Sequence, residues 1–101
     1  MLFQVIHSHS EETCPGVFPD KLKTFSAWWN EMKNTSGLKV LGGYVSPIEH
    51  NFYITLEADD FSTVTRALGP LNTIGTGSIT PVVTLDQAIP MADAGSFRPR
   101  T

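Results

Sequence analysis

Cys14 is the only thiol in the chain, so no internal disulfide can form and cysteine usage gives no support for secretion. Basic charge is equally thin. Seven Lys and Arg residues stand against ten Asp and Glu, for a net charge of −3. Lys21, Lys23, Lys33 and Lys39 are scattered rather than gathered into a patch, which excludes the electrostatic footprint of a nucleic-acid binder. Long apolar runs are missing too. The N-terminal one is broken by Gln4 and ended by His7, with no basic residue ahead of it, so neither a signal peptide nor a membrane span is expected. The default expectation is therefore a cytoplasmic protein. Gly75-Thr76-Gly77 has neither the lysine nor the following helix of a phosphate-binding loop, and that reading is set aside.

What remains is ordinary globular material: 41% hydrophobic and 17% charged residues over 101 positions, enough for one core. Residues 2–9 alternate as a strand, with Phe3, Val5, His7 and His9 on one face and Leu2, Gln4, Ile6 and Ser8 on the other. Residues 10–18 read as a loop, with Pro15-Gly16 as its turn signal. From Pro19 or Asp20 the period changes. Leu22, Phe25, Trp28, Trp29 and Met32 form one helical stripe, and Gly37 is placed to stop the helix in a left-handed conformation. Adjacent tryptophans on such a stripe are read as a core face rather than a ligand platform.

Residues 38–46 predict a second strand, in which Gly42-Gly43 signals a bulge or a close approach. Phe52 to Glu57 predict a third, joined to the second as an antiparallel hairpin. Asp59 is positioned to cap a second helix carrying Phe61, Val64 and Leu68, which Gly69-Pro70 ends. A fourth strand is expected at about Ser78 to Thr84, at a sheet edge or with a bulge because it contains Pro81, followed by a helical turn at Leu85 to Ala88. Residues 1–90 thus form one domain. Residues 91–101, small and polar, are expected as a flexible tail or an arm on a partner. The order βαββαβ is the ferredoxin-like α+β pattern: a four-stranded antiparallel sheet with two helices on one face. Its other face needs solvent or a second copy, and a homodimer joining two sheets into a barrel is expected.

Reactive side chains crowd the first strand and its loop. His7 and His9 share a face with Cα atoms about 6.5–7 Å apart. They are a candidate metal-chelating pair, with Cys14 as a third ligand and Glu49, His50 or Glu57 able to complete the set. Cofactor-free proton transfer on a small organic substrate would use a histidine paired with a carboxylate, with Tyr44, Tyr53, Thr55 and Glu57 as candidate cavity-lining groups. Cys14 as a nucleophile would need an adjacent base, for which His9 is the candidate.

Met1-Leu2-Phe3-x-Val5, Gly43-Tyr44-Val45, Leu56-Glu57-Ala58-Asp59-Asp60 and Pro81-Val82 before Gln87-Ala88 together resemble a bacterial family of small uncharacterised proteins. That family belongs to the dimeric α+β barrel superfamily, which includes muconolactone isomerases, small antibiotic-biosynthesis monooxygenases and stress-responsive barrel proteins. Over residues 1–90 the resemblance implies the ferredoxin-like fold, a homodimer and a cavity beside the sheet. It implies no reaction, and no catalytic residue is carried over. The expected function is binding of a small organic ligand, or a structural role, by a homodimer without a cofactor. The alternatives are a divalent-metal protein using His7, His9 and Cys14, and a cofactor-free isomerase or monooxygenase-like enzyme.

Overall fold

Alternation along Leu2–His9 (β1) buries Phe3, Val5, His7 and His9 and turns Leu2, Gln4, Ile6 and Ser8 to the opposite face. This strand lies inside the sheet. The computed structural model, which describes residues 1–99, pairs it antiparallel with Asn51–Ala58 (β3) on one side and Gly75–Val82 (β4) on the other. Leu38–Ser46 (β2) adds to the far side of β3, giving an α+β fold with an open antiparallel sheet of order β2-β3-β1-β4. β4 is an edge strand, and an edge is where Pro81 can sit without breaking a ladder on both sides. It begins at Gly75, three residues before the expected start at Ser78, because Gly75 and Gly77 pair with His9 and His7 despite their poor strand propensity.

Pro19–Lys33 forms α1, opening on Pro19 with Asp20 in its first turn and Lys33 in its last, as the helix dipole favours. Asn34, not Gly37, closes it. Gly37 takes its positive φ of 80° in the following turn, just before β2. The apolar stripe meets the sheet unevenly. Met32 is buried, Phe25, Trp28 and Trp29 are half-buried, and Leu22 in the overhanging first turns is 51% exposed. Neither tryptophan reaches full burial, yet both pack on the core. The Trp28 indole Nε1–H donates to the Ala67 carbonyl at 2.8 Å, and Trp29 lies on Gly43.

The glycine pair in β2 has two separate uses. The register with β3 slips between Val40 and Gly42, a bulge centred on Leu41. At Gly43 a Cβ would come within 2.8 Å of Trp29 Cζ2, so only glycine lets the helix lie this close.

Phe61–Leu68 (α2) is capped by Asp60 rather than by its neighbour Asp59. The Asp60 carboxylate accepts from the Thr63 backbone N–H at 2.7 Å and from the Thr63 hydroxyl, which lowers its pKa below the ordinary carboxylate value. Gly69-Pro70 does not end the chain's coiling. It converts it to a 3-10 turn over Gly69–Thr73 that buries Leu71. Phe3, Val5, Ile54 and Leu56 from the sheet, Met32 from α1 and Val64 and Leu68 from α2 make one core cluster. After β4, Leu85–Asp93 forms a complete helix, α3, where one turn was expected. Thr84 and Gln87 close a reciprocal capping box at its start, and the helix runs past Met91, where the tail was expected to begin. Residues 100 and 101 of that tail lie outside the described residues.

The packing at Gly43 generates a test against its neighbour. A Cβ at Gly42 would meet only the exposed Tyr44 ring, at 3.1 Å, and that side chain can move. Gly43→Ala should therefore cost about 1–3 kcal/mol through displacement of Trp29, while Gly42→Ala stays within about 0.5 kcal/mol of the parent. Urea denaturation of both variants measures the difference; equal midpoints would mean that Trp29 is not held on Gly43.

Candidate metal centre

The inner face of β1 starts in aliphatic and aromatic carbon and ends in two imidazoles. His7 and His9 are 3% and 8% exposed. Phe52, opposite His7 in the ladder, stacks on both rings, with centroids 5.8 Å from His7 and 4.6 Å from His9. Phe25 of α1 stacks on the other side of Phe52 at 4.8 Å. Across the second ladder the partners of His7 and His9 are Gly77 and Gly75. A Cβ on Gly75 would approach His7 Cε1 to 2.9 Å and collide with the Ser8 carbonyl, so Gly75 leaves room for the His7 imidazole, while a Cβ on Gly77 would meet the backbone of Ile6 and His7.

The two histidines are held differently. His7 lies 2.8 Å through Nε2 from the Leu71 carbonyl. A carbonyl can only accept, so Nε2 carries the proton and His7 is tied to the 3-10 turn as a structural donor. His9 has no such partner. Its backbone N–H donates to the His50 carbonyl at 3.0 Å, and its Nδ1, like that of His7, is buried without a hydrogen bond. Burial first, then the nearby His50 and His7 rings, push its pKa below the ordinary 6.5.

His50 closes the turn between β2 and β3. It is the one described non-glycine residue with a positive φ, 56°, a conformation uncommon for side-chain-bearing residues. That backbone places its ring edge-on to His9, with centroids 5.3 Å apart, and its Nδ1 is likewise buried and unpaired. Cys14 arrives from the loop after β1. The loop is anchored by the Thr13 hydroxyl donating to the Ile74 carbonyl at 2.8 Å, by backbone turns closed at Thr13 and Val17, and by the buried Pro15. The outcome is a cluster of His9, Cys14 and His50 whose ligand atoms all lie within 4.8 Å of one another.

That spacing suits a soft or borderline transition metal. Zinc bonds nitrogen at about 2.0–2.1 Å and thiolate sulfur at about 2.3 Å, so tetrahedral donors stand about 3.3–3.8 Å apart. Small side-chain rotations bring the three together. Three protein donors leave one position for water or an exogenous ligand, the arrangement of a catalytic rather than a closed structural zinc site.

The remaining candidates fall elsewhere. Tyr44 and Tyr53 form a cross-strand pair on the opposite face of the sheet, beside the Lys39–Glu57 pair, and Thr55 lies between them, donating to Gln4 Oε1 at 2.8 Å. The sheet itself separates all of them from the cluster. Glu49 accepts from the Ser46 hydroxyl at 3.0 Å within the hairpin turn. His50, one of three residues offered by the sequence as completing ligands, is the one the register of β3 against β1 selects.

The low pKa of His9 makes the metal-free protein acid-sensitive in a defined direction. With a folded pKa below the unfolded value, the unfolded chain binds more protons in between. Stability is full above about pH 6.5 and is lost as pH falls through the folded pKa. Urea titrations at pH 7.5 and pH 5 should show this loss in chelator-treated protein. A His9→Phe variant should have a flatter profile; the same slope in both would place the acid sensitivity elsewhere.

No curated protein matches this sequence. Residues 1–96 match a family model described as a domain of unknown function (DUF3303), and the chain belongs to that family.

Proposed function

We propose that the protein binds a transition-metal ion, zinc fitting best, through imidazole nitrogens of His9 and His50 and the thiolate of Cys14. The observation that carries this is the convergence of three ligand atoms within 4.8 Å, two of them on imidazoles with buried, unpaired Nδ1 atoms. Leaving such atoms unsatisfied is costly, and a metal ion satisfies them while accepting the lone pairs that neutral imidazoles offer. The Cys–His donor set selects against magnesium and calcium, which take oxygen. His7 stays outside the site as its supporting wall.

The frame for this site is a ferredoxin-like homodimer of the dimeric α+β barrel type. The sheet order, the βαββαβ core and the face of the sheet turned away from α1 and α2 support that reading. A small organic ligand has its natural seat in the apolar cleft of about 230 Å³ between α1 and the 3-10 turn. Phe25, Trp28, Leu71 and Ile74 line that cleft, with Lys21 also in its wall. Phe25 connects it to the metal cluster through the Phe25–Phe52–His9 stack.

Calorimetric titration of chelator-treated protein with zinc at pH 7.5 tests the metal reading. One ion should bind per chain. His9→Ala, His50→Ala and Cys14→Ser should each weaken it by about 100-fold or more, beyond the about 10–100-fold that outer-shell changes cost. His7→Gln, which retains a donor for the Leu71 carbonyl, should bind as the parent does. Cobalt substitution supplies the second readout: a thiolate-to-cobalt charge-transfer band present in the parent and absent in Cys14→Ser. Parent heats no larger than those of His50→Ala, with no such band, would remove the proposal.

A further inference from the structure

α3 is a well-capped helix that its own chain leaves without a single buried residue. Thr84 and Gln87 cap it, and Leu85, Ala88, Ile89 and Ala92 fall at i, i+3, i+4 and i+7 on one face. Leu85 is 80% and Ile89 66% exposed. Nine residues are too few for a stable helix without tertiary packing. The molecule measures 54 × 30 × 20 Å, and its radius of gyration of 16.1 Å exceeds the about 13 Å of a compact chain this long.

The same chain carries a second unpartnered apolar surface. The outer face of the sheet presents Leu2, Ile6, Tyr44, Tyr53 and Val82 among Ser, Thr, Asn and Gln. Its only charges are Lys39 and Glu57, a cross-strand pair at one margin. A face built for water would carry charge throughout, whereas depletion of charge toward the centre is what interfaces show. At that same margin a groove of about 570 Å³ opens, lined by Leu2, Leu41, Pro81 and Val82, with Val83 and Gln87 at the root of α3.

We propose that α3 is an exchanged clasp: in a dimer, the Leu85–Ile89 stripe of each copy seats in the groove over Leu2, Leu41 and Val82 of the other. This rests on the homodimer reading above and adds to it the element that locks the two copies. One two-fold axis satisfies both unpartnered surfaces, since each copy supplies a helix and a groove. Area favours the exchange. Four eight-residue strands present roughly 500 Å² of sheet face, short of the about 800 Å² per partner of a stable interface. Giving one helix and receiving another adds roughly 270 Å² per copy and brings the contact to that size. A lipid surface is the poorer occupant, because α3 holds Asp86 and Asp93 and no basic residue.

Sedimentation equilibrium of the full chain and of a Leu85→Glu, Ile89→Glu double variant tests the clasp, together with mixed dimers. In the mixed sample, a spin label on Asp93→Cys in a Cys14→Ser chain is combined with an unlabelled ¹⁵N chain. The clasp requires the double variant to dissociate at least about 100-fold more readily, and the label to broaden the Leu2, Leu41 and Val82 amides of the other chain. A double variant that dimerises like the parent leaves the dimer standing and removes the clasp. If the ¹⁵N chain of the mixed dimer is not broadened, and broadening appears only when the spin-labelled chain itself carries ¹⁵N, α3 folds back on its own sheet, which also removes the clasp. A full-length chain that is monomeric at micromolar concentration overturns the dimer itself.

Discussion

The constraint on which the rest of this structure depends is the alternation of β1. A strand with neighbours on both sides must send every second side chain into the core, and here the inward series is Phe3, Val5, His7, His9. The first two are ordinary core residues. The last two bring polar nitrogens to a place with little water, and each surrounding element is shaped by that. Phe52 supplies an aromatic face for both rings, Gly75 and Gly77 withdraw their side chains from the facing strand, and the 3-10 turn offers the Leu71 carbonyl. His7 is anchored through Nε2 on that carbonyl, although its Nδ1 is buried without a partner. His9, without such an anchor, remains a lone pair in search of an acid, and the chain brings His50 and Cys14 to that imidazole alone.

Much of the fold was legible because propensity and period agreed. β1 and β2 carry their boundaries in the sequence, α1 opens on Pro19, one of its two expected starts, and of the edge or bulge that Pro81 implied β4 takes the edge. The failures share a cause: each turns on a residue whose local preference tertiary packing overrode. Gly75 and Gly77 disguise the start of β4, since glycine reads as loop until the bulk of His7 opposite is known. The single turn expected at Leu85 to Ala88 continues to Asp93, because α3 accepts Pro90 at the loss of one backbone bond, to the Asp86 carbonyl. Asp59 and Asp60 are equally good caps by composition, and only the approach of the Thr63 N–H distinguishes them.

The site was legible in part and for a related reason. Alternation alone puts His7 and His9 on one face, and their nearness to Cys14 follows from a short loop. Which imidazole is free does not follow, because it depends on the Leu71 carbonyl, sixty-four residues away. The third ligand depends on a register. Pairing Ser8 with Asn51 sets His50 directly beyond the end of β1, where its carbonyl accepts from His9 N–H. A shift of one residue would turn the β3 face over and move His50 off the cluster.

The two faces of the sheet therefore carry different kinds of unfinished business. On the helix side the deficit is chemical: buried lone pairs on His9 and His50 that no protein donor meets. On the open side it is one of area: a face charged only at the Lys39–Glu57 pair, and an amphipathic helix none of whose residues is buried. β1 contributes to both through alternate residues, His9 inward and Leu2 and Ile6 outward. The proposed dimer contact and the proposed metal site therefore meet on one strand: residues of opposite parity along β1 serve one or the other, so each can form without displacing the side chains the other needs.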